Sequence, residues 1–119
     1  FGFLIMDDES EANKAIEMLK EKRVKVENPT FKASLSLNIG SLQCNAGRYD
    51  DAIENFKMVI ERKQSIDVLT LEKGYWFLGN AYFQKGQMQL AREAISSAYE
   101  LNGAYRRVAG TYLNAMANK

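Results

Sequence analysis

Apolar residues recur every three or four positions along almost the whole chain, and no segment alternates apolar and polar residues as a half-buried strand does. Every predicted element is therefore a helix. A first helix is predicted from about Asp8 to Arg23, with Asp8 and Glu11 forming a capping box at its start. Its apolar face contains Ala12, Ala15, Ile16 and Leu19.

One proline and several glycines indicate where the other helices begin and end. A residue that precedes proline avoids helical backbone, so Asn28 is predicted to cap a second helix with Pro29 in its first turn. This helix should stop at Gly47. The remaining predictions are a third helix from Tyr49 to about Lys63, a fourth capped by Ser65 and reaching Lys85, a fifth from Met88 to near Asn102, and a sixth from about Ala104.

The pattern repeats with a constant offset. Matching residues stand 39 positions apart, and they are Gly40 and Gly79, Gly47 and Gly86, Ala52 and Ala91, and Phe56 and Ile95. Part of the first helix repeats in the third with an offset of 40. A fixed offset of this size is typical of helical-repeat arrays, in which each unit is a pair of antiparallel helices that cannot bury its apolar faces alone.

These residues resemble the tetratricopeptide repeat, whose pattern is an aromatic residue, Leu-Gly, Tyr, Gly, Ala and a further aromatic residue. The second full unit carries this pattern at Tyr75, Leu78, Gly79, Tyr82, Gly86 and Ala91. The first full unit has Ser36 in place of the leading aromatic residue and Gln43 in place of the tyrosine. The resemblance covers nearly the whole chain. It implies an all-α fold, built as a right-handed superhelix of antiparallel helix pairs.

On this resemblance the chain is a single domain, divided into a partial repeat (1–27), two full repeats (28–64 and 65–103) and a capping helix (104–119). The apolar side of the capping helix should contain Tyr105, Val108, Tyr112 and Met116. The family's repeat is about 34 residues long, so the stride here is about five residues longer. We expect the extra residues at 65–70, as an added turn or as a longer fourth helix. The family's closing proline is absent.

The fourth helix carries two stripes of large residues. Leu71, Tyr75, Leu78 and Tyr82 form the packing stripe. In tetratricopeptide proteins the neighbouring face of the first helix in each unit lines a concave groove, so the resemblance implies a groove that binds a peptide or a partner helix. Its candidate residues are Lys73, Trp76, Asn80, Phe83 and Gln84 on the fourth helix, Leu37, Ser41 and Asn45 (beside Ser34 and Cys44) on the second, and Arg107 and Asn114 on the sixth.

Trp76 has two interpretations. It can anchor a bound peptide, as exposed tryptophans often do, or it can pack in the core against the second or the last helix. Some members of the family hold the terminal carboxylate of a partner with lysine, asparagine and arginine. Here Leu37 and Ser41 stand where the first lysine and asparagine would be, so that carboxylate site is not predicted.

Composition narrows the classes of function. A net charge of +1 lacks the basic excess of a nucleic-acid-binding protein, and the run from Lys20 to Lys25 is predicted to be the solvated end of a helix. The chain has one cysteine, Cys44, and no histidine, which excludes a disulfide and a Cys/His zinc site within it. We therefore expect neither cofactor nor catalysis, but a non-catalytic protein-interaction scaffold.

The apolar start of the chain supports a second hypothesis. The segment Phe1 to Met6 is too short to cross a membrane, and it opens in the middle of a pattern, as though an upstream part had been removed. Its exposed apolar side chains could join two copies of the chain. The alternative function is therefore an oligomerisation or assembly module of a larger protein, which could itself be membrane-anchored. No residue fixes the compartment, and we expect the cytoplasm rather than the cell envelope.

Overall fold

The computed structural model describes residues 2–117, and the side chains of residues 11–117. Within this range the chain forms helices and no strand, so the all-α prediction is confirmed. The helices are α1 (Gly2–Lys25), α2 (Pro29–Asn45), α3 (Tyr49–Glu61), α4 (Val68–Gln84), α5 (Met88–Glu100) and α6 (Arg106–Ala117). The side chains of the apolar start lie outside the described residues, and so does the predicted contact between two copies.

Four of the six described helices form two consecutive pairs, α2–α3 and α4–α5, whose members match in length. Helices α2 and α4 have 17 residues each, and α3 and α5 have 13 each. Each helix packs on the next along the chain, and α2 also packs on α4. The folded chain measures 41 × 39 × 20 Å, and its thickness corresponds to two layers of helices about 10 Å across. The α2–α3 and α4–α5 pairs therefore lie side by side.

The turns inside the two pairs have the same hydrogen bonds. Gly47 and Gly86 have φ angles of 79° and 84°, a left-handed conformation that glycine adopts without steric cost. The N–H of each glycine donates to the carbonyl three positions earlier, at 3.0 Å in both turns. The N–H of the next residue donates to the carbonyl five positions earlier, at 2.8 and 2.9 Å. Both helices thus end in a Schellman motif, 39 positions apart.

A glycine also allows each pair to close. A Cβ atom added at Gly40 would lie 2.4 Å from Cε1 of Phe56, and one added at Gly79 would lie 2.4 Å from Cγ1 of Ile95. Phe56 and Ile95 are fully buried. These two glycines therefore let a large residue of the partner helix approach closely, and they do so in both pairs.

The structure corrects two predicted helix starts. Helix α1 begins at Gly2 rather than at Asp8, so the capping box of Asp8 and Glu11 is wrong, because nothing in the apolar run before Asp8 breaks the helix. Helix α4 is capped by Asp67 rather than by Ser65. The N–H of Ser65 donates to the carbonyl of Arg62, at 2.8 Å, and this bond places Ser65 in the turn that follows α3.

The connection between the two helix pairs includes part of the segment expected to make the repeat longer than that of the family. Residues 62–67 separate α3 from α4, and α4 is no longer than α2. Of the predicted segment 65–70, residues 65–67 lie in this connection and residues 68–70 form the first turn of α4. The Asp67 carboxylate accepts the N–H of Thr70, at 2.8 Å. Hydrogen bonding by the hydroxyl and the N–H of Thr70 lowers the pKa of Asp67.

Two further predictions are wrong because they treated residues of one run alike. Successive residues of a helix point in directions about 100° apart, so one of them can be buried while the next is exposed. Arg23 was expected among solvated charges, but its Nη1 donates to Ser36 Oγ at 3.0 Å and to Asn55 Oδ1 at 2.6 Å, which joins α1 to α2 and α3. On α6 the buried residues are Ala109 and Met116, seven positions apart on one face. Val108 lies on the exposed side of that helix.

Candidate functional site

An open depression with a volume of about 200 Å³ lies between α2 and α4, and we call it the α2–α4 depression. Residues from both helices line it, together with one residue of α3 that reaches between them. The lining residues are Ser41, Cys44, Asn45, Phe56, Trp76, Phe77, Asn80 and Gln84. Five of these eight are predicted groove residues: Ser41, Asn45, Trp76, Asn80 and Gln84. The structure therefore brings half of the predicted set to one place.

The floor of the depression is aromatic. Phe56 belongs to α3 and reaches the floor because Gly40 leaves room for its ring between the helices. The ring of Phe77 packs edge-on against it, with centroids 5.8 Å apart. Such a floor offers apolar contact area in fixed positions, since edge-to-face aromatic pairs are a favourable arrangement.

The rim of the depression is polar and uncharged. Ser41 and Asn45 line it from α2, and Asn80 and Gln84 line it from α4. Asn80 Nδ2 donates to the backbone carbonyl of Trp76 at 2.8 Å, which fixes the orientation of the amide. None of the described residues that line the depression is charged. Hydrogen bonds and apolar contact, rather than ion pairs, are the interactions this surface can offer.

Trp76 packs on the last helix, as one of its two interpretations predicted, and its role as a peptide anchor stays a prediction. One part of the indole packs against Tyr112 of α6, with centroids 5.5 Å apart, and against Tyr105 in the turn just before α6, with centroids 6.0 Å apart. The side chain is only half-buried and also lines the α2–α4 depression. Its contacts with α6 fix the ring in place, so the exposed part presents a rigid apolar surface.

The other predicted groove residues lie elsewhere. Leu37 is 4% exposed and belongs to the core, so its placement in the groove is corrected. It lies one helical turn before Ser41, at a depth where α2 and α4 already pack on each other. Lys73 is half-buried, and Arg107 and Asn114 are exposed on α6; none of the three lines the depression.

Phe83 lines a second, larger depression of about 440 Å³ at the α6 end of the chain. There it packs edge-on against Tyr112, with centroids 5.3 Å apart. Met88, Arg92, Ala115 and Met116 complete the lining. This surface is mostly apolar, and it is separated from the α2–α4 depression by the packing of Trp76 and Phe83 on Tyr112.

Sequence reasoning assigned no groove role to Phe56 or Phe77, both of which form the floor. Phe77 could have been found, because Phe77, Asn80 and Gln84 follow the i, i+3, i+7 spacing of a single helix face. Phe56 could not, because it comes from the second helix of its pair and reaches the depression only through the space that Gly40 leaves.

The described residues offer few candidates for a nucleophile or for a set of metal ligands. Cys44 lies in the depression, and burial raises the pKa of its thiol, which keeps the less nucleophilic protonated form. Burial also raises the pKa of Tyr112. Within the described part of the chain, no three metal-ligating side chains come together. None of the described helices has the combination of length and apolar character needed to cross a membrane.

No protein-family model matches this chain, and comparisons with curated proteins and with solved structures find no significant similarity.

Proposed function

We propose that this chain is a tetratricopeptide-like scaffold without catalytic activity, a right-handed superhelix of antiparallel helix pairs that binds a peptide segment or partner helix in the α2–α4 depression. The observation that carries the proposal is the depression itself, in which aromatic rings form the floor and uncharged polar side chains form the rim. Interaction sites combine buried aromatic anchors with a polar rim in this way.

The repeated geometry of the two helix pairs supports the family assignment. Both pairs have the same helix lengths, the same glycine-terminated turn and the same glycine contact. Stacking of such pairs places the first helices of successive units, α2 and α4, next to each other. In tetratricopeptide proteins these first helices line the concave side, and the depression of this chain lies between its corresponding helices, α2 and α4.

The size of the depression favours a side chain of a peptide over a free small molecule. Clefts that enclose drug-sized ligands have volumes of roughly 300–1,000 Å³, whereas this one has about 200 Å³ and is open to solvent. A single apolar or aromatic side chain could rest on Phe77 and Trp76, which the buried ring of Phe56 supports from beneath. The backbone of the bound segment would then be within reach of the amides of Asn80 and Gln84 on the rim.

The proposal can be tested by peptide selection, using Trp76 as the probe. Trp76 is the only tryptophan of the chain, so its fluorescence reports on the depression without a label. Peptides would be selected from a random display library, synthesised without tryptophan, and titrated into the protein. We expect saturable binding that shifts the Trp76 emission.

A matched pair of variants decides where the peptides bind. Gln84→Arg adds a long charged side chain to the rim, whereas Gln89→Arg makes the same change on the exposed surface of α5, outside the depression. We expect Gln84→Arg and Asn80→Ala to weaken binding about tenfold or more, the usual effect of losing a central interface contact, and Gln89→Arg to have no effect. Binding that leaves the Trp76 emission unchanged and tolerates Gln84→Arg would exclude this site.

The second candidate function is an assembly module, and exposed apolar residues of α1 favour it. Met18 is 69% exposed and Val24 is 80% exposed, on a helix that packs chiefly on α2 within the described part of the chain. Light scattering over a range of concentrations tests this function. A dimer that dissociates in Met18→Glu supports it, whereas a monomer at the highest concentration removes it.

A further inference from the structure

An open depression with a volume of about 450 Å³ lies between α5 and α6, and we call it the α5–α6 depression. Its lining residues are Ser96, Tyr99 and Glu100 of α5, Asn102 of the following turn, and Arg106 and Leu113 of α6. It shares no residue with the α2–α4 depression or with the larger one that Phe83 lines. The repeat of the helix pairs indicates which kind of element fits this surface.

The α5–α6 depression matches the surface on which α5 itself packs. A depression of about 400 Å³ lies where α5 meets α3 and α4, and we call it the α3–α4 depression. Its lining residues on α3 precede those of the α5–α6 depression on α5 by 39 positions, and the pairs are Lys57 and Ser96, Ile60 and Tyr99, and Glu61 and Glu100. Its residues on α4 precede those on α6 by 31 positions, and the pairs are Tyr75 and Arg106, and Tyr82 and Leu113. Helices α5 and α6 therefore present a surface equivalent to that of α3 and α4.

Helix α6 has the register of the first helix of a pair. Gly110 stands 31 positions after Gly79 of α4, which is the offset of the lining residues. In the complete pair, a Cβ atom at Gly79 would lie 2.4 Å from Ile95 of the second helix. A Cβ atom at Gly110 would meet nothing closer than Tyr99 Cε1, at 4.0 Å. Within the described part of the chain, the space that a second helix fills at Gly79 is therefore open at Gly110.

Helix α1 has the position of the second helix of a pair. Arg48, which follows α2, donates a hydrogen bond to Asn13 of α1, and Lys85, which follows α4, donates one to Asp50 of α3. Asn13 and Asp50 are 37 positions apart, and so are Arg48 and Lys85. Helix α1 therefore lies against α2 in the way that α3 lies against α4.

The contacts of Arg23 give the same offset. Its two hydrogen-bond acceptors, one on α2 and one on α3, are Ser36 and Asn55. Their counterparts 39 positions later are Tyr75 and Ala94, which line the α3–α4 depression together with Ile60. Ile60 stands 37 positions after Arg23. The contacts therefore match α1 to α3 at an offset of 37, against an offset of 40 in the sequence pattern.

At this offset, Ala15 and Leu19 of α1 correspond to Ala52 and Phe56 of α3. The two residues of α3 are fully buried, and Phe56 lies against Gly40 of its first helix. Ala15 and Leu19 are only half-buried, since no first helix precedes α1 within the described residues. In the part of the chain that the structure describes, α1 thus lacks a first helix and α6 lacks a second helix.

We propose that the α5–α6 depression of one copy binds α1 of a second copy, so that α6 and the incoming α1 form a complete helix pair. The offsets of 37 and 39 superpose α1 on α5 with Leu19 at the position of Ile95 and Met18 at that of Ala94. Leu19 then fills the space at Gly110. Met18 is 69% exposed in the single chain, and docking buries it in the depression, since Ala94 lines the equivalent surface.

The charges of the two surfaces suit this contact. Arg106 lies in the α5–α6 depression, and among the described residues its guanidinium donates only to neutral oxygens. Glu21 corresponds to Ser97, which lines the α3–α4 depression together with Tyr75, the counterpart of Arg106. Docking therefore brings the Glu21 carboxylate into the depression that holds Arg106. Because Glu100 also lines that depression, this ion pair contributes to orientation, and the apolar contacts supply most of the affinity.

The proposed contact rests on the second candidate function, assembly through α1, and gives α1 a defined partner surface. The two copies contribute different surfaces, so the contact is heterologous. A bound pair still has a free α1 at one end and a free α5–α6 depression at the other. Association therefore continues beyond the dimer, into open chains or rings. Peptide binding in the α2–α4 depression does not depend on it.

Two variants block the two sides of the contact separately. Met18→Glu places a charge on the docking face of α1, and Gly110→Arg fills the open space on α6. Gly110 has no positive φ angle and its Cβ would meet no close atom, so Gly110→Arg should fold. Leu69→Glu and Val108→Arg are the matched controls, since they introduce the same side chains at exposed apolar positions outside both depressions. Far-UV circular dichroism shows whether each variant is folded.

Sedimentation velocity over a range of concentrations measures the association. We expect the mass of the wild-type protein to rise beyond that of a dimer. Met18→Glu and Gly110→Arg should each weaken self-association about thirtyfold or more, the usual effect of losing a central interface contact, and the two controls should behave as the wild type does. An equimolar mixture of Met18→Glu and Gly110→Arg should form dimers with wild-type affinity and stop there, because only one intact contact is available to each pair.

Self-association of Gly110→Arg alone, at wild-type strength, would show that α1 joins copies without the α5–α6 depression. That result would retain the assembly function and overturn the proposed contact. A mixture that stays monomeric, or an equal loss in Val108→Arg, would also overturn it. A wild-type protein that is monomeric at every concentration would remove both the contact and the assembly function, and the peptide titration followed by Trp76 would still decide the first function.

Discussion

The contact between Gly79 and Ile95 predicts that Gly79→Ala lowers the free energy of unfolding when residue 95 is isoleucine and raises it when residue 95 is alanine. A Cβ atom added at Gly79 would lie 2.4 Å from Ile95 Cγ1 and 3.3 Å from the carbonyl oxygen of Ala91. Favourable contacts between carbon atoms need about 3.5–4.0 Å. Gly79 does not have a positive φ angle, so an alanine there is limited by space and not by backbone conformation.

The magnitude for Gly79→Ala follows from two terms. Overpacking a close-packed core costs about 1–3 kcal/mol, and the short distance at Gly79 places the cost near the upper value. Replacing a glycine inside a helix by alanine returns about 1 kcal/mol. We therefore expect Gly79→Ala to lower the free energy of unfolding by about 2 kcal/mol. Ile95→Ala removes a fully buried side chain and should lower it by about 3 kcal/mol.

The double variant carries the test. In Ile95→Ala the side-chain atoms that block residue 79 are gone, and the remaining 3.3 Å approach to the Ala91 carbonyl oxygen needs a shift of only a few tenths of an ångström, so the helix-propensity gain dominates. In that background, Gly79→Ala should raise the free energy of unfolding by about 1 kcal/mol. The coupling between the two changes is then about 3 kcal/mol, at the upper end of values measured for residues in contact.

Urea unfolding followed by Trp76 fluorescence and by far-UV circular dichroism measures all four proteins. Gly47→Ala serves as the control. Its added Cβ would meet nothing within 4 Å, and its cost comes only from the positive φ angle. The cost of Gly47→Ala should therefore be the same with and without Ile95. If Gly79→Ala destabilises both backgrounds equally, the close approach of the two helices at this point is refuted.

Two further predictions concern other close contacts and helix ends. Gly103→Ala should destabilise the protein by about 1–3 kcal/mol, because its Cβ would lie 2.6 Å from Oε2 of Glu72, and chemical unfolding should show no such loss in a Glu72→Ala background. Glu72 is only 1% exposed, and its Oε2 has no hydrogen-bond partner within the described residues, so Glu72→Ala alone should cost little. The pKa of Asp67 is lowered in the folded state. Its contribution to the free energy of unfolding is therefore fully present at pH values above the ordinary aspartate pKa of about 3.9, and it is lost as the pH falls through the lowered folded-state pKa. Asp67→Asn should therefore remove part of the acid sensitivity of thermal unfolding below about pH 4, and an unchanged acid profile would contradict the cap.

Features that depend on a few neighbouring residues could be predicted from the sequence. Asn28 caps α2, with its side chain accepting the N–H of Phe31 at 3.0 Å, and Pro29 follows in the first turn as expected. Gly47 and Gly86 terminate α2 and α4 with positive φ angles. In each case one residue decides the local backbone whatever surrounds it: the proline ring fixes φ and has no N–H to satisfy in a first turn, and glycine adopts a positive φ without steric cost.

Features that depend on packing between helices could not be predicted in the same way. Ser65 and Asp67 are both good capping residues, and the choice between them is made by the turn that follows α3. Leu37 and Ser41 lie one turn apart on α2, yet only Ser41 reaches the depression. Helical periodicity gives the direction in which a side chain points. The point along their length at which two helices stop touching depends on all the residues packed between them.

The floor of the α2–α4 depression is built by the same contact that closes the first helix pair. Phe56, although fully buried, lies directly beneath the depression because Gly40 has no Cβ, whereas the equivalent residue of the second pair, Ile95, lines none of the larger depressions. A change that moves the Phe56 ring must therefore alter both stability and the depression. Gly40→Ala should reduce peptide binding as well as the free energy of unfolding, whereas Gly79→Ala should reduce only the latter. The two glycines have the same packing role, and only Gly40 connects that role to the proposed binding surface.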